Sequence, residues 1–182
     1  MYYEFFNPRK IDDPRINRIF EFGRMAEKYL FDLLKEAGLD VFCGEGEQYY
    51  FDDGDIRGHV DGIVVGLPES DQPHLVETKS MNDQRFKDLK RVGMEKHNQT
   101  YWVQLQIYML KFDLENGLFL VINKNDSEIY IERVKLDKAY AHHMYDRAKK
   151  IISDKDIIPE RKFQTETFYK CKMCPYASIC WR

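Results

Sequence analysis

Apolar side chains three and four positions apart mark the first legible element of the chain. Ile16, Ile19, Phe20, Ala26, Leu30, Leu33, Leu34 and Ala37 form a helical stripe. Asp12-Asp13-Pro14 supplies acids at the cap and proline in the first turn, and Gly38 ends the pattern. The spacing predicts an amphipathic helix that packs by one face. The period then becomes strand-like over residues 41–51, 55–66 and 74–80, rich in Val, Ile and Tyr and separated by Asp52-Asp53-Gly54 and by a connection bearing Pro68 and Pro73. These predict three consecutive antiparallel strands. A polar, basic helical stretch covers 82–91 until Gly93 breaks it, and a second helix over 99–114 ends at Asn116-Gly117. Apolar runs at 118–122 and 127–134 flank Asn125-Asp126 and predict a hairpin. Asp137 caps a last helix to about residue 152, and from Pro159 an irregular segment runs into a cysteine cluster.

Helix, three strands, helix, then strand predicts an α/β (α+β mixed) fold, a mixed sheet flanked by helices. At 182 residues the chain is expected to form a single domain, 1–182, with residues from about 155 to 182 as a C-terminal addition. It has no room for a motor domain, so any strand-separating helicase is another chain. The balance of 28 basic and 31 acidic residues gives a net charge of -3, which excludes the whole-chain basic footprint of a general DNA coater but leaves room for a local basic channel. No apolar run approaches the ~20 residues of a membrane span, and Met1-Tyr-Tyr-Glu-Phe-Phe lacks the charged-then-apolar layout of a signal peptide. A soluble cytoplasmic protein with no membrane partner is expected, its cysteines reduced or metal-bound.

Glu77 and Lys79, two apart on a predicted strand, project from one face while Thr78 points away. Asp61 lies on the preceding strand, in Gly58-His-Val-Asp-Gly62. If the two strands pair, Asp61 and Glu77 face one another across about 5 Å, a gap that holds a divalent ion between carboxylate oxygens. Hydrolysis of a phosphodiester needs a hydroxide near neutral pH and compensation of charge on the phosphate, and hard Mg2+ or Mn2+ on carboxylates meets both needs. Lys79 then orients or helps deprotonate the attacking water. The plainer alternative is a solvated Glu-Lys ion pair, but Leu75, Val76 and Ile63-Val64-Val65 read as buried strand.

With Gln104 and Tyr108 in a Q-x-x-x-Y pattern downstream, the chain resembles the PD-(D/E)XK nuclease superfamily and its RecB-like branch through Asp61, Glu77 and Lys79. The resemblance implies a restriction-endonuclease-like α-β-β-β-α-β core, DNA as substrate, and Mg2+ or Mn2+ as cofactor. It also turns the Gln104 face toward the site, the glutamine supporting the metal or the DNA backbone. Tyr108 shares that face or simply joins Tyr101, Leu105 and Phe112 in the core. The branch carries a histidine after a glycine on its first helix, whereas this chain has Gly23-Arg-Met-Ala-Glu27 and no histidine before His59. Glu27 is therefore expected to complete the metal set with Asp61 and Glu77, the alternative being an ion pair with Arg24 or Lys28.

Cys171, Cys174 and Cys180 sit in one tight run, with Cys43 standing alone 128 residues upstream. Four thiolates suit zinc or a four-iron cluster. The one-plus-three layout resembles the iron-sulfur nucleases, those of the AddB nuclease domain and the Cas-four-like CRISPR-associated exonucleases. That resemblance implies a 4Fe-4S cluster on Cys43, Cys171, Cys174 and Cys180, structural in role and closing a long loop; zinc in the same place, or four unrelated cysteines, are the alternatives. It also sets Lys87, Lys90, Arg91 and Lys96 beside the substrate channel, where they contact phosphates while Trp102 or Tyr101 stacks on bases. The alternative is a solvated face balanced by Asp83, Asp88 and Glu95. The expected function is a metal-dependent DNA exonuclease on single-stranded or frayed ends, in recombination and repair, a phage module or CRISPR adaptation, with a helicase, recombinase or CRISPR integration partner. An endonuclease of the same fold and a catalytically idle, cluster-bearing adaptor are its rivals.

Overall fold

The structure is a computed structural model that describes residues 13–42, 49–54, 56–154 and 160–181. Cys43, part of the first predicted strand and the start of the C-terminal segment lie outside the described residues. Helix α1 (Pro14–Glu36) starts where the sequence places its cap, the Asp13 carboxylate accepting from Arg15 N–H at 2.8 Å with Pro14 in the first turn. Strands β1 (Asp40–Phe42), β2 (Tyr50–Asp53), β3 (Ile56–His59), β4 (Gly62–Val65) and β5 (His74–Met81) follow. Helices α2 (Asp83–His97) and α3 (Gln99–Lys111) lead to β6 (Asn116–Asn123) and β7 (Ile129–Lys135), then to α4 (Lys138–Ser153) and two short turns, α5 (Tyr169–Lys172) and α6 (Ala177–Cys180).

Five strands form one mixed sheet in the order β1-β4-β5-β6-β7, in which only β5 and β6 run parallel. The parallel pair requires a long crossover, and α2 with α3 supplies it. Every residue of β6 is buried, as a central strand covered on both faces must be. Alternation along β5 and β6 feeds two cores. Leu75, Met81, Phe119 and Val121 face α2 and α3 and meet Phe86, Leu89, Leu105 and Met109, whereas Val76, Leu118, Leu120 and Ile122 face α1 and meet Leu30, Phe31 and Leu34.

Two differences from the sequence reading matter for the site. The first two predicted strands are divided: β1 joins the main sheet, while β2 and β3 form a separate antiparallel ribbon. The ribbon is tied down at Asp53, whose carboxylate pairs with Lys111 at 2.9 Å, Lys149 at 3.5 Å and the Tyr145 hydroxyl. The second difference is in α1, where only the C-terminal half packs on the sheet, leaving Ile19, Phe20 and Met25 48%, 57% and 63% exposed. Gly93 breaks the helical run as its sequence suggests, its φ 76° and ψ 169° lying outside the helical region, and a further short turn to His97 follows across the kink. Glu132 secures the bend by accepting from Met94 N–H at 2.8 Å and from the Tyr130 hydroxyl at 2.6 Å. None of the described helices is long and apolar enough to cross a membrane.

Candidate active site

β4 ends early against β5, and that ending creates the site. Gly62 lies opposite Val76, so continuing the register would set residue 60 opposite Thr78. The chain instead leaves the ladder at Val60 and Asp61, and Thr78 loses its strand partner. The Asp61 side chain replaces it: Oδ2 accepts from Thr78 N–H at 2.8 Å and from Thr78 Oγ1 at 2.9 Å. Asp61 is thus fixed to β5 at Thr78, the residue after Glu77, whereas the predicted hairpin sets it directly across from Glu77.

Glu77 has no solvent exposure. Gln104 Nε2 donates to both of its oxygens at 3.0 Å, and Lys79 Nζ pairs with Oε1 while donating to the Thr78 carbonyl at 2.8 Å. Strand alternation puts Glu77 and Lys79 on the face covered by α3, so residue types two apart on β5 and one helix across the crossover meet in one place. Burial raises the Glu77 carboxyl from its ordinary 4.5 to about 7; Lys79 opposes the rise, and the nearby Asp61 and Glu27 carboxylates add to it. Burial pushes Lys79 down, but Glu77 and Asp61 outweigh it and hold the ammonium above its usual value. Lys79 also lies 5.3 Å from the centre of the Tyr101 ring.

Glu27, half-buried on α1, is raised first by burial and then by Asp61, while Lys79 and Arg24 pull it down. The first helix therefore brings its acid into the field of Asp61 and Lys79. Arg24 takes Glu21 and Lys28 takes Asp32 as ion-pair partners, not Glu27. Tyr108 lies one turn beyond Gln104, its hydroxyl pushed up to about 12 by burial, with Glu77 and Asp61 adding to the effect. Its ring packs edge-on against Phe51 at 5.7 Å and across the bare backbone of Gly58, where an added Cβ would lie 2.6 Å from Phe51 Cε1. Tyr108 so belongs both to the core and to the wall of the site.

The basic residues after β5 part company. Lys87 pairs with Asp83 at 2.8 Å, Arg91 with Asp88 at 3.3 Å and Lys90 with Glu128, which makes most of this stretch an ion-paired helix face. Lys96 instead borders a cleft farther along α2. Tyr101 and Trp102 are partly buried and pack against the core. Thr78 and Tyr101, as partners of Asp61 and Lys79, were not assigned those roles from sequence. Thr78 was visible between the two charged residues, but its role depends on where β4 stops.

Three carboxylates in one field, with one raised to about 7, make a donor set that suits a hard divalent cation by charge and by oxygen chemistry. Glu77 is nevertheless engaged by Gln104 and Lys79, and among the described residues no three of His, Cys, Asp and Glu form a closed ion-holding group. Cys171 is buried and Cys174 and Cys180 are partly buried, carried on successive turns in which Cys174 N–H donates to the Cys171 carbonyl at 3.0 Å. Soft thiolates in so compact a run suit zinc or iron-sulfur chemistry.

The chain belongs to the PD-(D/E)XK nuclease superfamily, whose family model matches residues 13–181. Among solved structures it is similar to LHK-Exo in complex with dAMP, at 18% identity and TM-score 0.59 over 81% of this chain and 71% of that one. A second structure, an alkaline exonuclease (LHK-Exo) from Laribacter hongkongensis, gives 15% identity and TM-score 0.57 over 81% of this chain and 71% of that one. The structure of SSO0001 gives 19% identity and TM-score 0.50, over 87% and 68%. These likenesses are of fold. No curated protein matches the sequence.

Proposed function

We propose that the protein is a divalent-metal-dependent deoxyribonuclease acting as an exonuclease on single-stranded or frayed DNA ends. The observation that carries the reading is the fully buried Glu77 carboxylate, held on both oxygens by Gln104 and flanked by Lys79 and the edge-fixed Asp61. A structural ion pair has no need of a second and third carboxylate in the same field, whereas phosphodiester hydrolysis does. The end-directed preference draws its support from the alkaline exonuclease among the structures of similar fold.

Asp61 and Glu77 would hold Mg2+ or Mn2+, with Glu27 approaching from α1. Such an ion, when bound, neutralises charge on the phosphate and lowers the pKa of a bound water. The protein's own groups do the rest. Water oxygen bonds to phosphorus as the bond from phosphorus to the leaving sugar oxygen breaks, and negative charge rises on the non-bridging oxygens. Lys79, kept cationic by its two acidic neighbours, offsets that charge and donates to the attacking water; its raised pKa argues against a role as general base near neutral pH. Gln104 fixes the orientation of Glu77, and Tyr108, protonated throughout the working range, closes the wall behind it.

Cys171, Cys174 and Cys180 would hold a 4Fe-4S cluster with Cys43, after the Cas-four-like pattern, and tie the C-terminal segment to the chain that follows β1. Zinc in the same place is distinguished by metal analysis and by the absence of visible absorbance. The proposed setting is an intracellular one in DNA recombination, repair or CRISPR adaptation. The test is incubation of the anaerobically purified protein with end-labelled single-stranded DNA and Mn2+ or Mg2+, beside Glu77→Ala. Loss of terminal nucleotides by the parent and not the variant is the expected result. Broad internal fragments would indicate an endonuclease. No cleavage by protein that retains its metal content would overturn the reading in favour of an adaptor.

A further inference from the structure

Where α2 meets α3, the C-terminal segment forms the opposite wall of a cleft of about 710 Å³. Arg85, Arg91 and Lys96 line it from α2, and Lys162 and Lys170 from the C-terminal segment, so five cations face a single acid, Asp88. Arg91 pairs with that acid at 3.3 Å, which leaves Arg85, Lys96, Lys162 and Lys170 without an ion pair among the described residues. In a chain of net charge -3 this is a local concentration of positive field. Tyr169 lies on the rim, 60% exposed, and its ring is backed at 4.8 Å by Phe168, which stacks on Phe163 at 4.3 Å. An exposed aromatic ring supported from behind and bordered by unpaired cations is the combination that binds single-stranded nucleic acid, phosphates on the cations and a base on the ring. The cleft is also joined to the carboxylate site through α3. Gln99 and Thr100 line it, and Gln104, four residues further along the same helix, holds Glu77. At about 1.5 Å per residue that is roughly 6 Å along the axis, the span of one or two nucleotides.

We infer that this cleft is a single-strand-binding groove of which the cysteine-bearing segment supplies half: Lys162 and Lys170 take backbone phosphates and Tyr169 stacks a base of the strand entering or leaving the carboxylate site. The inference rests on the nuclease reading only for the position of the groove, since binding is read without turnover. Charge by itself would admit an acidic protein as occupant; the exposed ring on the rim decides for nucleic acid, because it matches a base and has no counterpart in an acidic peptide.

The test is anisotropy of a fluorescein-labelled oligonucleotide with full-length protein in Ca2+, over a series of salt concentrations, for the parent, Lys162→Gln/Lys170→Gln, Lys162→Arg/Lys170→Arg and Tyr169→Ala. For single strands, loss of two phosphate contacts lowers the slope of log K against log salt by about 1.4, and the arginine pair restores it. Tyr169→Ala weakens binding roughly 5- to 150-fold at constant slope. Equal slopes for parent and glutamine pair, with unchanged thermal melting, overturn the inference, as does equal loss on blunt duplex. Tighter binding of a polyglutamate peptide than of the oligonucleotide overturns it in favour of a protein partner. Glu77→Ala, assayed in parallel, separates the two readings: if it abolishes cleavage while the cleft variants bind like the parent, the groove is wrong and the nuclease stands.

Discussion

Replacing Glu77 by glutamine should make the protein more stable above neutral pH while abolishing cleavage. The carboxyl is wholly buried and raised from 4.5 to about 7, so ionising it costs more in the folded chain than in the unfolded one. Below pH 4.5 both states hold the proton and nothing is lost. Between 4.5 and about 7 the unfolded chain releases the proton and the folded one keeps it, so stability falls as pH rises, by about 1.4 kcal/mol for each pH unit. The deficit reaches about 3 kcal/mol and is constant above neutrality. Glutamine keeps the shape and, through its one amide oxygen, a single acceptor for Gln104 without the charge, so urea unfolding of Glu77→Gln and parent in chelator should agree near pH 4 and diverge to about 3 kcal/mol at pH 8. The exposed, ion-paired carboxylates Asp32, Asp53 and Asp83, all lowered by lysine partners, titrate alike in both proteins and cancel from the difference. Mg2+ should narrow the gap at pH 8, because an ion held only by the folded carboxylates stabilises the parent. A parent more stable than the variant at pH 8 in chelator would show that the Lys79 and Gln104 contacts outweigh burial, and would refute the account of the carboxyl.

Gln104→Ala removes two hydrogen bonds from a buried charge, so the alkaline rise in the pH–rate profile should move upward by about one to two pH units. Gly58→Ala drives a methyl group into the Phe51 and Tyr108 rings and should cost about 1–3 kcal/mol, read as a lower melting temperature. Gly93→Ala would set its methyl group in ordinary van der Waals contact with the Glu132 carboxylate, 3.5 Å from Oε1, but it sits at φ 76° and should cost about 1–3 kcal/mol through backbone strain. Glu27→Gln should raise the Mg2+ concentration needed for half-maximal cleavage while leaving metal-free single-strand affinity unchanged; an unaltered Mg2+ requirement would remove Glu27 from the metal set.

The meeting of Glu77 and Lys79 on one face was legible because strand alternation is a local rule, and the β4–β5 hairpin brings Asp61 near them, although its bonds to Thr78 depend on where β4 stops. Spacing placed Gln104 and Tyr108 on one helix face, and only the family resemblance turned that face toward the site. The break between β3 and β4 was not legible, because Ile56, Gly58, Val60, Gly62 and Val64 continue an unbroken alternation of covered positions across it. Only the tertiary choice of partner, β2 for one half and β5 for the other, divides them. Half of the α1 stripe faces outward for a similar reason, since periodicity defines a face but not how far a sheet extends beneath it. The ion pairing of Lys87, Lys90 and Arg91 was only partly legible, since one of their acids, Glu128, lies 38 residues from Lys90 in the sequence. The unpaired cations of the cleft were scattered over α2 and the C-terminal segment, so no window along the chain contained them.

The parallel pairing of β5 and β6 has a consequence for how activity first arises. The β4–β5 hairpin is local and can form early, bringing Asp61 to Glu77. Gln104 reaches Glu77 only when the crossover through α2 and α3 has folded back and β6 has docked, a step slowed by loop closure and long sequence separation. A growing or partly folded chain therefore carries its acids before it carries the brace that aligns them. On that order the site would be completed only with the finished domain, and a cutting activity that needs the brace would arise last.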